Sequence, residues 1–408
     1  MNQAKVKMQE PSQNLTTSSN ILLTSSLNPF EYTNQIAFKY IWPTFPVGFL
    51  ILGTIANILS IIVFTRKEMR RFSSFCYFAF LNATNLALLY VTLTRVMMDY
   101  NLNRDLRTIN LPICKIHVFL TYFLSHLSSL LLCMISIDRV ISVMFIHRAK
   151  DFCTPRVAFI VTSTISMFTF ALSCHFLIFE SGYVETDSAF NETRIVCESR
   201  KGSIYDHIVQ EVWKIVDMSI YAFIPFFIMF TCSVIIIVRV AQQSKKFNIK
   251  KPSVGTQTEQ RNGRTIGDQK ESFVIRNPNE AKFSTRTRNL ALMLIPVNVL
   301  FLMFLAPVVI SMYFYKNLSE DHLTLAIVEF LSYCNMTFNF FIYFITSSKF
   351  REEFFKFINE VFVKLKSNST NRRFNATTNT TMFTTPRTDK VINKANVECV
   401  ALVNRQKK

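Results

Sequence analysis

The sequence has few of the residues from which phosphate-binding and catalytic sites are built. Seven of its 408 residues are glycine and six are histidine. No glycine-rich loop for a phosphate group is present. His117 and His126, which lie nine positions apart, are interpreted as helix residues with satisfied hydrogen bonds rather than as members of a catalytic cluster. We therefore predict that the protein is not an enzyme and has no catalytic residue, metal site or cofactor.

Charged residues are almost absent from long parts of the chain. Half of the residues are hydrophobic and 41 are phenylalanine. Seven segments with the length of a membrane-spanning helix, about 20 residues, carry at most one charge and show no polar stripe. These segments, spans one to seven, are Ile41 to Phe64, Phe72 to Thr94, Ile116 to Ile137, Val157 to Phe179, Met218 to Val238, Asn289 to Tyr315, and Leu323 to Ser348. The sequence predicts an all-α membrane protein, a seven-transmembrane helix bundle.

Acidic residues are fewer than basic ones, and the basic excess is unevenly placed. The formal net charge is +18, but basic residues collect in alternate connections, which argues against a nucleic-acid partner. The connection TRKEMRRFS has four, and residues 241–288 have eleven against four acidic ones, whereas residues 180–206 have six acidic and three basic residues. Because basic loops face the cytoplasm, we expect a multi-pass plasma-membrane protein with its N-terminus extracellular and its C-terminus cytoplasmic.

The segments outside the spans are polar. Residues 1–39 lack a continuous apolar core, so we expect a disordered extracellular arm rather than a cleavable signal peptide. Residues 241–288 lack hydrophobic periodicity and are expected to be largely disordered. Glycosylation acceptors on the expected outer side begin at Asn14 and Asn191.

An apolar periodicity returns after span seven. The sequence SSKFREEFFKFINEVF places Phe350, Phe354, Phe357 and Ile358 at helical spacing, with charged residues between them. This pattern predicts a short amphipathic helix over residues 347–360 that lies on the membrane surface, in contact with lipid.

Individual polar residues, cysteines and prolines recur in order along the spans. They are Asn57 in GTIANIL, Asn85 in LNATNL, Cys114 and the pair Asp138 and Arg139 in span three, Pro225 in FIPFF, Pro307 in FLAP, and Asn339 and Tyr343 in NFFIY. This set resembles the rhodopsin-like (class A) G-protein-coupled receptors over roughly residues 41–357. The resemblance implies a receptor domain over residues 40–346 that binds an extracellular ligand and activates heterotrimeric G proteins. It also implies a disulfide between Cys114 and Cys197.

The adjacent charges Asp138 and Arg139 interrupt an apolar run at the end of span three. A charge in a membrane is costly and persists where it faces the protein interior or water. By the resemblance, Asp138 restrains Arg139 at rest, and outward movement of span six frees Arg139 to line a G-protein pocket. The alternative is that Arg139 is an anchor that pairs with lipid phosphates.

Several positions depart from the family pattern. Asn85 stands where a carboxylate is usual, so a sodium site in the bundle would lose its charge, and we predict little sodium sensitivity. Leu305, Ser233 and Thr287 stand where a Trp, a Tyr and, in some members, a Glu are found. These changes affect the expected details of activation but not the expected fold.

The span residues restrict the class of ligand. Thr121 lies where amine receptors have an Asp, and span seven has no Lys for a Schiff base, so neither a biogenic amine nor retinal is expected. Glu329 and Asp217 favour a cationic ligand with an Arg side chain. The alternatives are a protonated Glu329 hydrogen-bonded inside the bundle and an Asp217 paired with Lys214.

A narrower similarity suggests the ligand itself. Phe340 replaces a Pro in NFFIY, and this variant together with LMLIPVNVLFL is similar to invertebrate neuropeptide receptors of the FMRFamide-like group, which implies a short amidated peptide. A same-fold receptor for a lipid or small molecule is the alternative, and a transporter is disfavoured because the sequence has no internal repeat. The predicted ligand-binding residues are Thr121, Tyr122, Ser125, Asp217, Tyr221, Met312, Glu329 and Tyr333.

The C-terminal segment, residues 361–408, is dense in Ser and Thr and is expected to be a disordered cytoplasmic tail. In a receptor such a tail is a phosphorylation platform, which implies receptor kinases and arrestin as partners. The alternative is a solvated low-complexity tail with no partner.

Overall fold

The computed structural model describes residues 40, 42–179, 181–187, 192–248, 294–307, 311 and 322–381. Several predictions lie outside these residues. They are the N-terminal arm, the acceptors Asn14 and Asn191, the ligand-binding residue Met312, the departure at Thr287, and most of the connection over 241–288.

Each of the seven predicted segments coincides with a helix in the described part of the chain. The spans as observed are Trp42–Thr65, Ser73–Leu102, Leu111–Met144, Pro155–Ser173 with the turn His175–Ile178, residues 204–248, Leu294–Pro307, and His322–Thr337 with Asn339–Thr346. The first five are long and apolar enough to cross a membrane. Short helices Leu106–Thr108 and Ile146–Phe152 lie between spans. The predicted all-α membrane fold is confirmed.

Two spans begin at side-chain caps. Asn110 before span three and Thr154 before span four each accept a hydrogen bond from the backbone N–H three residues later, at 2.8 and 3.3 Å. A proline follows in the first turn of both helices, where its missing N–H costs no intrahelical hydrogen bond. These local signals place the ends of the spans independently of lipid.

Span four shows how the bundle is oriented toward lipid. Its large apolar residues Phe159, Ile160 and Met167 have exposed fractions of 61%, 62% and 70%, whereas the small residues Ala158 and Thr169 are fully buried. Small residues on the inner face let helices approach closely, and the exposed apolar side chains need a cover of lipid.

The core joins spans one, two, three and seven. Gly53 allows the closest approach there, because a Cβ added at this position would lie 2.5 Å from Cδ2 of Leu89 and 3.0 Å from Oγ1 of Thr337. The buried cluster consists of Phe49, Leu88, Leu89, Leu93, Leu124, Tyr333, Cys334 and Met336.

Span five is irregular. It contains two π-helical segments, Ile208–Trp213 and Ser219–Phe223. Pro225 follows the second one; its ring would clash with the carbonyl four residues earlier in a regular α-helix, and a wide turn removes that clash. Asp217 therefore lies between two wide turns of the helix.

A β-hairpin connects spans four and five. Strands β1 (Tyr183–Asp187) and β2 (Glu192–Val196) pair antiparallel. Directly after β2, Cys197 forms a disulfide with Cys114 at the start of span three, with 5.7 Å between their Cα atoms. The predicted disulfide is confirmed. We call the end of the bundle that carries it the disulfide end, and the end that carries Asp138 and Arg139 the pair end.

The helix after span seven is longer than expected. It runs over Ser348–Thr381, whereas the sequence analysis ends it at residue 360 and expects disorder beyond. The bundle extends to Arg351, and a second unit begins at Glu352. No Gly or Pro occurs between residues 348 and 381, so the two strongest helix-breaking residues are absent at the predicted boundary.

Candidate functional site

The pair end is built around a buried ion pair. Arg139 donates from Nε to Oδ2 of Asp138 at 3.1 Å, and its Nη2 also donates to that oxygen. The exposed fractions are 4% for Arg139 and 6% for Asp138. The guanidinium curls back onto its own neighbour in the chain, and the pair is shielded from lipid.

Two serines of span two hold the same carboxylate. Ser73 donates to Oδ1 of Asp138 at 2.6 Å, and Ser74 donates to Oδ2. Sequence analysis did not find these donors, because only their position at the start of a helix distinguishes them. Hydrogen bonds to a charged carboxylate stabilise the charged form, so Asp138 is anchored to span two as well as to Arg139.

A second polar cluster joins spans three, five and six. Asn298 donates from Nδ2 to Oγ of Ser136 and to Oγ of Ser233, both at 3.1 Å. Asn298 is 1% exposed. Sequence analysis singled out Ser233 as a departure, but it gave no sign of its partners. We call this three-residue cluster the Asn298 latch.

The predicted asparagines in the middle of the bundle are hydrogen-bonded. Asn57 donates to the carbonyls of Gly53 and Met336 at 2.8 and 3.1 Å. Ser128 donates to Oδ1 of Asn85 at 2.7 Å. Asn85 thus accepts a hydrogen bond in the place where a carboxylate would attract sodium, and the predicted weak sodium sensitivity stays a prediction.

The remaining predicted switch residues lie in or beside spans six and seven. Asn339 donates to the carbonyl of Asn335 at 3.0 Å. Tyr343 is fully buried, with its ring centroid 5.0 Å from that of Phe64. Pro307 is the last residue of the described helix of span six. In the described residues, these side chains form no shared hydrogen-bonded cluster with Asp138.

Aromatic residues dominate the predicted ligand-binding region of span three. Tyr122 stacks on Phe176 with ring centroids 4.6 Å apart and meets Trp213 edge-on at 5.4 Å. Thr121 donates to the backbone carbonyl of His117 at 2.8 Å. Ser125 lies one turn further along the same helix and is half-buried.

Asp217 has a partner that the sequence analysis did not anticipate. Its Oδ1 lies 2.9 Å from Nε2 of His126, whose side chain is fully buried. The two residues are 91 positions apart, so no local pattern links them. The structure places His126, rather than Lys214, against the Asp217 carboxylate.

Glu329 lies on span seven beside another predicted residue. Tyr333, one turn later, donates from its hydroxyl to Oε2 of Glu329 at 3.2 Å. Tyr221 of span five faces Ser332 across the bundle. The structure therefore brings Glu329 and Tyr333 together, and it places Asp217 in a separate contact with His126.

The disulfide end has a further charged group, Arg95, that the sequence analysis did not identify. Span two continues to Leu102 and carries Arg95, whose Nε lies 3.7 Å from Oδ2 of Asp105. Desolvation raises the pKa of Asp105, but hydrogen bonds from Arg107 and the charges of Arg107 and Arg95 outweigh it and hold that pKa at about 2. The charge of Arg95 itself marked the predicted end of span two, which is why it was not considered part of the bundle.

A comparison with protein families identifies the family to which the chain belongs. The family model described as 7 transmembrane receptor (rhodopsin family) matches residues 56–343. The chain belongs to this receptor family. It is a multi-pass membrane protein with seven spans and a signalling receptor, in a family that is generally non-enzymatic. A search of curated proteins finds no match to the receptor.

Proposed function

We propose that the receptor lies in the plasma membrane, binds a short amidated neuropeptide at its disulfide end, and activates heterotrimeric G proteins at its pair end. The observation that carries this proposal is the buried Asp138–Arg139 pair at one end of a receptor bundle, in which the Arg139 guanidinium donates to its neighbour in the chain. The acidic connection over residues 180–206 and the carboxylate of Glu329 at the other end support a cationic ligand.

The proposed orientation places the disulfide outside. A disulfide persists in an oxidising compartment, and the basic connections lie at the opposite end of the spans. The N-terminus is then extracellular and the C-terminus cytoplasmic. Asn14 and Asn191 are the proposed glycosylation sites on the outer side.

Activation would separate span six from its neighbours. Outward movement of that span has to break the hydrogen bonds of the Asn298 latch and opens space beside Arg139. Because Asp138 is anchored by Ser73 and Ser74, it stays in place while the longer Arg139 side chain swings toward the G protein. The Ser/Thr-rich tail would then receive phosphate from receptor kinases and bind arrestin.

Glu329 is the preferred partner for a ligand guanidinium. Oδ1 of Asp217 already accepts a hydrogen bond from Nε2 of His126, so a ligand that used Asp217 would have to displace an internal partner. Glu329 contacts the hydroxyl of Tyr333 and has carboxylate oxygen sites left for a bidentate hydrogen bond.

Receptor activation by defined ligands tests the proposal. Cells that express the receptor would be screened with amidated peptides and with lipids while G-protein activation is recorded. We expect Arg-containing amidated peptides to activate it, and Glu329→Gln to lower their potency by about tenfold or more, the loss of about one charge-assisted hydrogen bond. The exposed Glu211 on span five provides the matched control, Glu211→Gln. Activation by lipids alone would contradict the peptide proposal.

A further inference from the structure

Arg95 has one buried hydrogen-bond donor, Nε, that lacks an acceptor among the described residues. Its side chain as a whole is 28% exposed. A guanidinium has five N–H donors in a planar fork. A buried donor left without an acceptor is costly, and more so when it belongs to a charged group.

The nearby carboxylate of Asp105 is already occupied by Arg107. The Nε of Arg107 donates to both Asp105 oxygens at 3.1 Å, and its Nη2 donates to Oδ2 at 2.6 Å. The backbone N–H of Arg107 donates to Oδ1 at 2.9 Å. A carboxylate has about four acceptor sites, so Arg95 gains only the longer charge contact of 3.7 Å.

Arg95 lies near Glu329, the receptor carboxylate that we propose binds the cationic group of the ligand. Its positive charge acts on both Glu329 and Tyr333, and Thr92, one turn earlier on span two, interacts with the Tyr333 hydroxyl. Spans two and seven therefore present a cation and an anion on adjacent walls of the disulfide end. A ligand that offered only a cation to Glu329 would be repelled by Arg95.

We infer that Arg95 binds a carboxylate of the ligand, so that the ligand carries an anionic group for Arg95 as well as a cationic group for Glu329. The planar guanidinium suits a bidentate carboxylate. This inference rests on the proposed function, because it specifies the chemistry of the same ligand. It makes Arg95 a specificity-determining residue.

Two dipeptide probes test this inference without a known ligand. Receptor purified in lipid nanodiscs would be titrated with the amides Arg-Asp-NH2 and Arg-Asn-NH2, and binding followed by thermal unfolding. The probes differ by one carboxylate. We expect Arg-Asp-NH2 to bind about tenfold more tightly, the difference made by one charge-assisted hydrogen-bonded pair.

Variants at position 95 test whether Arg95 causes the tighter binding of Arg-Asp-NH2. We expect the affinity ratio of the two probes to fall to about one in Arg95→Gln and to be intermediate in Arg95→Lys, which keeps the charge without the planar fork. Arg104→Gln, at an exposed position beyond span two, should leave the ratio unchanged. The inference would be overturned if the unsubstituted receptor bound the two probes equally or bound neither. It would also be overturned if the affinity ratio were unchanged in the folded Arg95 variants.

The same assay separates this inference from the proposed function. It contains no G protein, so a receptor that never activates a G protein can still show the charge preference. Conversely, peptide activation with equal binding of the two probes would support the proposed function and remove the role of Arg95.

Discussion

Hydrogen-bond donors, some adjacent in the chain and some distant, hold the buried and partly buried carboxylates of this receptor in place. Asp138 is held by Ser73, Ser74 and Arg139, and Asp105 by Arg107. A charge in a low-dielectric interior needs such partners, since an unpaired one would be costly. Removing one partner therefore changes either the resting conformation or the stability of the receptor.

Neutralising Asp138 should raise basal signalling. Asp138→Asn keeps hydrogen-bonding atoms for the two serines but removes the negative charge that holds Arg139, a loss of about 1.5–3 kcal/mol for a charge-assisted bond. We expect G-protein activation without ligand to rise about tenfold, measured as nucleotide exchange in membranes. The control is Asp151→Asn, at an exposed position on the Ile146–Phe152 helix. Unchanged basal exchange would refute the restraining role of Asp138.

The contact between Asp105 and Arg107 should make stability depend on acid pH. The pKa of Asp105 is lowered from its ordinary value of 3.8 to about 2 in the folded receptor, so the contact stabilises the fold above about pH 4 and this contribution is lost as the pH falls toward 2. We expect the difference in thermal stability between the receptor and Asp105→Asn to be constant from neutral pH to about pH 5 and to shrink below pH 4. Asp99→Asn serves as the control. A difference that persists unchanged at the lowest pH would count against this contact.

Whole helices meet where small or polar residues allow it. Span one approaches spans two and seven at Gly53, and span six is tied to spans three and five by the Asn298 latch. The first contact is steric and the second is a set of hydrogen bonds, so substitutions at the two places should have different consequences.

A side chain at Gly53 should destabilise the bundle. Its Cβ would lie 2.5 Å from Leu89, which is fully buried, and overpacking a close helix contact costs about 1–3 kcal/mol. We expect Gly53→Val to lower the midpoint of thermal unfolding and the amount of receptor at the cell surface. The matched control is Gly48→Val on the same helix, where an added Cβ meets nothing within 4 Å. Equal effects of the two substitutions would refute the close approach.

Removing the Asn298 latch should loosen span six. Asn298→Leu has a similar size but leaves Ser136 and Ser233 without this donor, so we expect higher basal nucleotide exchange and lower thermal stability. In a mutant cycle, Ser233→Ala should add little to Asn298→Leu, because both changes remove the hydrogen bond between Asn298 and Ser233. Ser136→Ala should add only the loss of the Ser136 hydrogen bond to the Leu132 carbonyl. The control is Thr164→Val, because the exposed Thr164 hydroxyl donates to the Ile160 carbonyl within span four. Full additivity would show that the three side chains do not act together.

Span three of the receptor carries the disulfide near its first residue and the ion pair near its last, and the proposed function assigns ligand binding to the first end and signalling to the second. The proposed orientation makes a direct prediction. An epitope fused to the N-terminus should be labelled on intact cells, and one fused to the C-terminus only after the membrane is permeabilised. Labelling of both epitopes on intact cells would exclude an odd number of spans.

The existence of the spans could be predicted from apolar runs, whereas the ends of spans two and five could not. Span two was predicted to end at Thr94 but continues to Leu102, and span five begins at residue 204 rather than Met218. Charged residues such as Arg95 and Asp217 end an apolar run, although the backbone hydrogen bonds of a helix continue past them. For this reason the sequence analysis did not include Arg95 among the predicted site residues.

The sequence by itself determined the number and class of the spans, because lipid offers no partner to a backbone N–H or carbonyl and each apolar segment must therefore satisfy its own hydrogen bonds as a helix. The tertiary structure alone decided which side chains became partners. Ser73 meets Asp138 across 65 positions, His126 meets Asp217 across 91, and Asn298 meets Ser136 across 162. These contacts depend on how the helices pack against one another, and no local pattern in the chain specifies that packing.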